Sequence, residues 1–259
     1  MQAFDYSQPA TLADVKSALA AGGQALAGGQ SLLSAMKLGL AAPEKLVDLA
    51  SVGALRGITV AGGAVKIGAM TTHAEVAASA DVRKAIPALA ELAGHIGDRQ
   101  VRNRGTLGGS LANADPAACY PAAVLGLGAT VHTDRRDIAA DDFFKGLFET
   151  ALGEGELITA VSFPVPEKAG WQKFKQPASR FSIVGVFVSK GAKGVRVAVT
   201  GAGPCVFRVA DFEKRLAANY TAAALAGATV KADGLNSDLH GSAEYRAALI
   251  PVLAARAVG

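Results

Sequence analysis

Cysteine is scarce in this chain, and the histidines are scattered. The two cysteines, Cys119 and Cys205, lie far apart and form no CxxC motif. An iron–sulfur cluster normally takes four thiolates, so this chain cannot ligate one alone. Structural zinc is equally disfavoured, because no two histidines have a ligand-pair spacing: His73, His95, His132 and His240.

Long apolar runs and charge blocks are also missing. No segment is apolar over a membrane-spanning length, and the N-terminus has no basic stretch followed by an apolar one. These absences predict no membrane insertion and a cytoplasmic location. The formal net charge of +4 comes from dispersed Lys and Arg, which favours a solvated surface over a nucleic-acid interface. With 51% hydrophobic residues over 259 positions, we expect two or three packed units.

The first fifty residues predict a βαβ-like unit. Its elements are two helices and two strands in alternation: helix Thr11–Ala21, strand Ala25–Ala27, helix Leu32–Leu40 and strand Leu46–Leu49. A new segment begins near Leu55 with a strand–turn–strand pattern.

Further elements are predicted along the rest of the chain. Thr72 and Glu75 have the spacing of a capping box, which places His73 on the surface at a helix start. Helical sequence runs from Val82 to Ile96 and from Pro121 to Leu127, and Leu157–Phe163 alternates as a strand. The best domain boundary is marked by Pro164, Pro166 and Gly170. Beyond it we expect a hairpin, Ile183–Ser189 with Val195–Thr200, and then an Ala-rich helical end.

Two glycine-rich turns are the best candidates for a binding site. Gly28 and Gly29 follow a predicted strand and precede a helix, where bare backbone can approach an anion and direct N–H groups at it. The second turn offers a hydroxyl, two glycines and another hydroxyl: Thr106, Gly108, Gly109 and Ser110. Two converging turns would suit the pyrophosphate of a dinucleotide.

Neither turn matches the common nucleotide-binding signatures. GxGxxG is absent, and no Lys-Ser or Lys-Thr pair follows as in a Walker A loop. A nicotinamide site of the Rossmann type and a P-loop hydrolase are therefore disfavoured. A single Gly-Gly turn is usually only a turn, and two of them with flanking hydroxyls in one domain bring the case for a binding site to an even one.

Several short motifs follow one another from the N-terminal turn to the C-terminal third of the chain. They are Ala27-Gly28-Gly29-Gln30-Ser31-Leu32, Met36-Lys37-Leu38, Asn103 to Ser110, Asn113-Ala114-Asp115-Pro116, Gly155-Glu156-Leu157-Ile158, Phe174-Lys175-Gln176 and Ser237 to Arg246. Their order resembles one known family, the FAD-binding medium subunits of molybdenum hydroxylases, which include carbon monoxide dehydrogenase and xanthine dehydrogenase.

The resemblance implies an α/β (α+β) fold of the vanillyl-alcohol-oxidase, or PCMH, type. FAD would lie between two subdomains of residues 1–165, divided near residues 54 and 55. A smaller C-terminal domain of sheet and helices would cover residues 166–259. The family's function is to accept electrons from [2Fe–2S] clusters on a small subunit and pass them through FAD to an external acceptor. A large subunit carries the molybdopterin cofactor, and the assembly expected is a dimer of heterotrimers.

The resemblance also assigns site residues. Contacts to the FAD diphosphate and the adjoining sugar would come from Ala27, Gly28, Gly29, Gln30, Ser31 and Leu32, and from Thr106, Gly108, Gly109 and Ser110. Asn113 and Asp115 would lie towards the flavin, Leu157 and Ile158 would pack along the cofactor, and Lys175 would place a positive charge near the ring. No catalytic or metal-ligating residue is expected in this chain.

Two positions depart from the family pattern, and two other functions remain open. Cys119 stands where an acidic or amide residue is common, and Arg180 replaces a usual acidic residue beside Phe181, which puts the flavin potential and the choice of acceptor in doubt. The alternatives are a stand-alone FAD-dependent oxidoreductase of the same fold and a non-catalytic nucleotide-binding assembly module. A substrate pocket of its own would favour the first, and missing flavin bands the second.

Overall fold

A computed structural model describes residues 2–259 as helices arranged around several sheets. The expected mixture of helix and sheet is confirmed. Three units of structure follow each other along the chain, each with its own sheet.

The first unit is a small parallel sheet with two helices. Strands β1 (Asp5–Ser7), β2 (Gln24–Leu26) and β3 (Lys45–Asp48) lie in the order β1-β3-β2, with all pairs parallel. Helix α1 (Leu12–Ala20) is capped by Thr11, whose side chain accepts from the Asp14 N–H, and α2 is short (Leu32–Lys37). The predicted βαβ unit is confirmed, although β1 was not foreseen because it is only three exposed residues.

The second unit is a five-stranded antiparallel sheet of order β4-β5-β10-β6-β7. One face is apolar and packs in the largest core of the molecule, with Ile67, Val131 and Phe163 fully buried. Its strands are β4 (Ile58–Ala61), β5 (Ala64–Gly68), β6 (Thr130–Thr133), β7 (Asp137–Ala139) and β10 (Ile158–Pro164), and a hairpin of β8 (Phe144–Gly146) and β9 (Glu149–Thr150) lies beside it.

Seven helices of the second unit cover that apolar face or its edges. The capping box at Thr72 is confirmed, with Glu75 bonding back to the Thr72 N–H. The single helix expected over 82–96 is wrong, because Ile86 leaves the helical conformation before Pro87, as proline requires. The bounds are α3 (His73–Ala78), α4 (Ala80–Ala85), α5 (Pro87–Gly94), α6 (Arg99–Arg104), α7 (Leu107–Asn113), α8 (Tyr120–Leu127) and α9 (Ala140–Phe143).

The C-terminal unit is a four-stranded antiparallel sheet backed by two helices. Its strands are β11 (Lys168–Lys175), β12 (Ser182–Gly191), β13 (Gly194–Thr200) and β14 (Phe207–Arg208), in that order. The predicted hairpin is confirmed as β12 and β13. The helical end is only partly right: α10 (Ala210–Ala218) and α11 (Ala243–Val258) are separated by a segment whose only helical element is a 3₁₀ turn at Ala222–Leu225.

Polar side chains of the C-terminal sheet hold it against α8. The last carbonyl groups of α8 lie beyond its regular helical hydrogen bonds. Ser189 donates to the Gly126 carbonyl over 2.6 Å, and Arg196 donates over 2.8 Å to the Leu125 carbonyl, which also accepts the Gly128 N–H. Arg196 also pairs with Asp141 of the second unit at 2.6 Å. Because Arg196 is almost fully buried, this contact fixes the position of the C-terminal sheet.

The buried arginine gives a stability prediction. Arg196→Met should reduce the free energy of unfolding by about 2–3 kcal/mol, because it removes the buried hydrogen bond to the Leu125 carbonyl, which is left with the Gly128 N–H alone, and breaks the pair with Asp141. The matched control is Arg215→Met, which removes an exposed ion pair with Asp211 on α10 and should cost less than about 0.5 kcal/mol. Urea unfolding of both variants decides the matter, and equal losses would contradict the role given to Arg196.

Candidate functional site

A cleft of about 970 Å³ is lined by residues of all three units. Its volume is in the range of cofactor sites. All the site residues predicted from the sequence line it except Lys175: Ala27, Gly28, Gly29, Gln30, Ser31, Leu32, Thr106, Gly108, Gly109, Ser110, Asn113, Asp115, Leu157 and Ile158. The two glycine turns therefore converge, as the pyrophosphate hypothesis requires.

The first turn presents unused backbone donors to the cleft. Within the described chain, the N–H groups of Gly28, Gly29, Gln30 and Ser31 donate to no acceptor. Gly29 has φ +74°, a conformation that glycine adopts without strain. Four consecutive unsatisfied amides beside a cleft form a site for an anion or another strong acceptor.

The glycine at position 28 is needed for a different reason. A Cβ atom there would collide with the carbonyl oxygen of Arg104 and with the backbone of Gly105. The first turn therefore packs directly on the chain that leads into the second turn. Any other residue at position 28 would force the two turns apart.

The second turn uses its amides within the protein. Thr106 caps α7, with its hydroxyl oxygen accepting the Gly109 N–H at 3.2 Å, and the N–H groups of Leu107 and Gly108 donate to Thr71 and Ala69. What this turn can offer a ligand is the hydroxyl groups of Thr106 and Ser110, neither of which donates a hydrogen bond within the described chain.

The glycines of the second turn are both helical. A Cβ on Gly108 would overlap Ala69, so its absence lets α7 pack against the end of β5. Gly109 does not have a positive φ, so its backbone conformation does not require glycine. A Cβ on Gly109 would instead lie 2.9 Å from the Thr106 hydroxyl and 3.4 Å from Ala27.

Lys175, predicted to place a charge near the flavin ring, is exposed at the end of β11 and does not line the cleft. The pairing of β11 with β12 shifts register between Phe174 and Lys175. Lys173, two positions earlier, does line the cleft. Its ammonium group donates to the carbonyl of His95 at 2.9 Å and lies 3.2 Å from the Cys119 sulfur.

His73 was expected on the surface but is buried and lines the cleft. Burial, with a further contribution from the charge of Arg102, lowers the pKa of His73 to about 4. The imidazole is therefore neutral at pH 7, and its Nδ1 has no hydrogen-bond partner in the described chain. The ring packs against Tyr120 at 5.3 Å between centroids. The capping-box position of His73 does not indicate this burial, because the burial comes from packing against α6 and α8.

The two positions that depart from the family pattern both lie at the same end of the cleft as Lys173. Cys119 is buried and contacts the Ser182 hydroxyl at 3.5 Å. Arg180 is exposed, with φ +64°, and Phe181 beside it packs edge-on against His240. All three, Cys119, Arg180 and Phe181, line the cleft.

A buried carboxylate fixes the loop that carries Leu157 and Ile158. The side chain of Glu156 is 2% exposed and accepts hydrogen bonds from Arg136, Thr133 and the Gly153 N–H. The Arg136 guanidinium is the main reason that the pKa of Glu156 falls to about 2. Glu156 is thus a structural anion, held by its partners, at the wall of the cleft.

Within residues 2–259, no group of three or more His, Cys, Asp or Glu side chains could hold a metal ion. None of the helices in that range combines the length and the apolar character that crossing a bilayer requires.

Comparison with known proteins agrees with the geometry. Residues 2–166 match the family model described as the FAD binding domain in molybdopterin dehydrogenase. The nicotine 6-hydroxylase medium subunit of Paenarthrobacter nicotinovorans is 36% identical, over 100% of this chain and 97% of that protein. The carbon monoxide dehydrogenase medium chain of Hydrogenophaga pseudoflava is 34% identical, over 98% and 96%.

Solved structures give the same result for the fold. Reconstituted CO dehydrogenase from Oligotropha carboxidovorans has a TM-score of 0.89 at 32% identity, covering 99% of this chain and 96% of that one. Quinoline 2-oxidoreductase from Pseudomonas putida 86 has a TM-score of 0.87, also at 32% identity and with the same coverage. The expected FAD-binding fold with a C-terminal sheet and helices is confirmed.

The crowding at Gly109 gives a binding prediction. Gly109→Val should weaken FAD binding by about 1–3 kcal/mol, because the side chain would displace the Thr106 hydroxyl that lines the cleft. Gly94→Ala is the control, a helical glycine whose Cβ would have no neighbour closer than 3.9 Å. Flavin content after dialysis is the measurement, and equal retention in both variants would mean that the second turn is only a structural turn.

The Glu156 carboxylate gives a pH prediction. Its folded pKa of about 2 lies below its ordinary value of 4.5, so the stability it contributes is fully present above about pH 4.5 and is lost as the pH falls towards 2. Glu156→Gln should make the free energy of unfolding less steeply dependent on pH between about pH 5 and 3 than in the parent. Glu149→Gln, on an exposed strand, is the control, and parallel curves for all three proteins would contradict the assignment.

Proposed function

The chain belongs to the family of FAD-binding medium subunits of molybdenum hydroxylases, and from that premise we propose that it is the electron-transfer flavoprotein of such an enzyme. It accepts electrons from [2Fe–2S] clusters on a partner subunit and passes them through FAD to an external acceptor. The observation that carries the proposal is the convergence of the two glycine turns on one cleft, whose lining includes four residues with unused backbone N–H groups. Bound FAD supplies a centre that takes up and releases electrons.

In this proposal the first turn holds the diphosphate. The N–H groups from Gly28 to Ser31 donate to the phosphate oxygens, and Gly29 allows the chain to curve around them. The hydroxyl groups of Thr106 and Ser110 donate from the opposite wall. Amide donors that are already fixed lose little conformational entropy on binding, which favours tight non-covalent attachment.

The other residues of the cleft hold the sugar and the flavin. Ala27, Gln30 and Leu32 flank the first turn, and Leu157 and Ile158 supply apolar contact along the cofactor. Asn113 and Asp115 provide polar groups towards the flavin. We assign to Lys173 the role that the sequence suggested for Lys175, namely a positive charge beside the ring that stabilises its anionic reduced form.

The remaining redox centres belong on other subunits. The two cysteines of this chain fall short of the four thiolates of a [2Fe–2S] cluster. We therefore propose a small [2Fe–2S] subunit and a large molybdopterin subunit as partners, assembled as a dimer of heterotrimers in the cytoplasm. Relatives that align over nearly their full length are named as the medium chain of carbon monoxide dehydrogenase and the medium subunit of nicotine 6-hydroxylase, which supports this arrangement over a stand-alone flavoenzyme.

The dependence on partners can be tested directly. Expressed alone, the chain should bind FAD and release it into the supernatant on acid precipitation, but should oxidise no substrate of the native enzyme. Purification from the native host should bring two further polypeptides, with molybdenum and iron in the preparation. Substrate turnover by the metal-free chain would favour the stand-alone oxidoreductase, and a chain that takes up no flavin would favour the non-catalytic module.

A further inference from the structure

Three cations gather on the segment that walls one end of the cleft, and two of them, Lys173 and Arg180, themselves line it. They come from three different segments: Arg102 from α6, Lys173 from β11 and Arg180 from the loop before β12. All three reach carbonyl groups of the segment that follows α5. The bonds are Arg102 to Ile96 and Gly97 at 3.0 and 3.1 Å, Lys173 to His95 at 2.9 Å, and Arg180 to Gly97 at 3.5 Å.

No carboxylate neutralises this cluster. Within residues 2–259, none of the three cations lies within 4 Å of an acidic group, whereas Arg136, Arg196 and Arg246 each have such a partner. Along the chain the nearest acidic residues are Asp98, four positions before Arg102, and Glu167, six positions before Lys173; Asp98 accepts the Val101 N–H, and Glu167 pairs with Lys190. The end of α5 contributes only about half a negative charge, so an excess of positive charge remains at this end of the cleft.

The backbone holds Arg180 on the cleft wall. The carbonyl oxygen of the Gln176 side chain accepts the N–H groups of Ala178 and Ser179 at 2.6 and 2.9 Å, and the Arg180 N–H donates to the Gln176 backbone. The left-handed conformation of Arg180 is uncommon for a residue with a long side chain. Strain of this kind is kept where the surrounding structure fixes it, often at functional sites.

We propose that Arg102, Lys173 and Arg180 form a cationic rim that makes the flavin of this chain selective for electron acceptors of net negative charge. The inference rests on the proposed function, because it places the flavin at this end of the cleft. In the step concerned, the two-electron-reduced flavin passes one electron to each of two one-electron oxidants and releases its proton to water. Exposed Arg180 attracts the anionic oxidant during approach, which raises the association rate.

The test compares two oxidants of opposite charge on the same protein. The FAD-loaded chain is photoreduced without oxygen and mixed in a stopped-flow instrument with ferricyanide, an anion, or with a trimethylammonium-substituted ferrocenium, a cation. At low ionic strength, Arg180→Asn should slow the ferricyanide reaction about three- to tenfold, and Arg180→Asp should slow it further. The cationic oxidant should react faster with both variants than with the parent protein. Asn and Asp are suitable because both tolerate the left-handed backbone. Near 1 M salt, where screening acts over about 3 Å, the differences should vanish.

Controls separate this rim from net charge and from flavin binding. Arg215→Asn removes one positive charge far from the cleft and should change neither rate. An equilibrium readout is the titration of oxidised flavin with sulfite, whose affinity should fall in the order parent, Arg180→Asn, Arg180→Asp. Equal ferricyanide rates in the parent and Arg180→Asn, or equal slowing of both oxidants, would overturn the proposal. Absence of a flavin band before reduction would instead count against the proposed function.

Discussion

The cofactor cleft depends on one close approach, that of the Gly28 turn to the backbone at Arg104 and Gly105. Because Gly28 has no side chain, the backbones of two turns from different units are in direct contact. The approach brings the free amides of residues 28–31 opposite the Thr106 and Ser110 hydroxyl groups. The same constraint recurs at Gly108 against Ala69, which sets α7 against the end of β5 in the five-stranded sheet.

The two turns contribute in different ways, although both are rich in glycine. In the first turn, the backbone N–H groups have no acceptor within the protein. In the second turn, the N–H groups are used in the helix cap and in contacts with neighbouring backbone, and glycine allows the close packing of α7. A ligand therefore meets amides on one wall and hydroxyl groups on the other. The far end of the cleft is positively charged, because the C-terminal sheet brings Lys173 and Arg180 to it. Arg196 and Ser189 determine where that sheet sits on α8, and so where those charges lie.

Local patterns in the sequence predicted the parts of the molecule that depend on local chemistry. The capping box at Thr72, the hairpin of β12 and β13 and the residues of both turns follow from propensity, spacing and recognisable motifs. Local patterns fail where tertiary structure decides. A register shift separates Lys173, which lines the cleft, from Lys175, which does not, and packing buries His73 although its position in a capping box suggests exposure. The break before Pro87 is a local signal that the expectation of one helix over 82–96 overlooked.

The central claim is that the diphosphate, held by the amides of residues 28–31, anchors the cofactor. Calorimetric titration of the flavin-free chain with FAD, riboflavin and ADP tests it most directly. The account predicts that ADP binds and competes with FAD, while riboflavin, which has no phosphate, binds at least about a hundredfold more weakly than FAD, a difference of about 2.7 kcal/mol. Riboflavin affinity equal to that of FAD, with no competition by ADP, would contradict it.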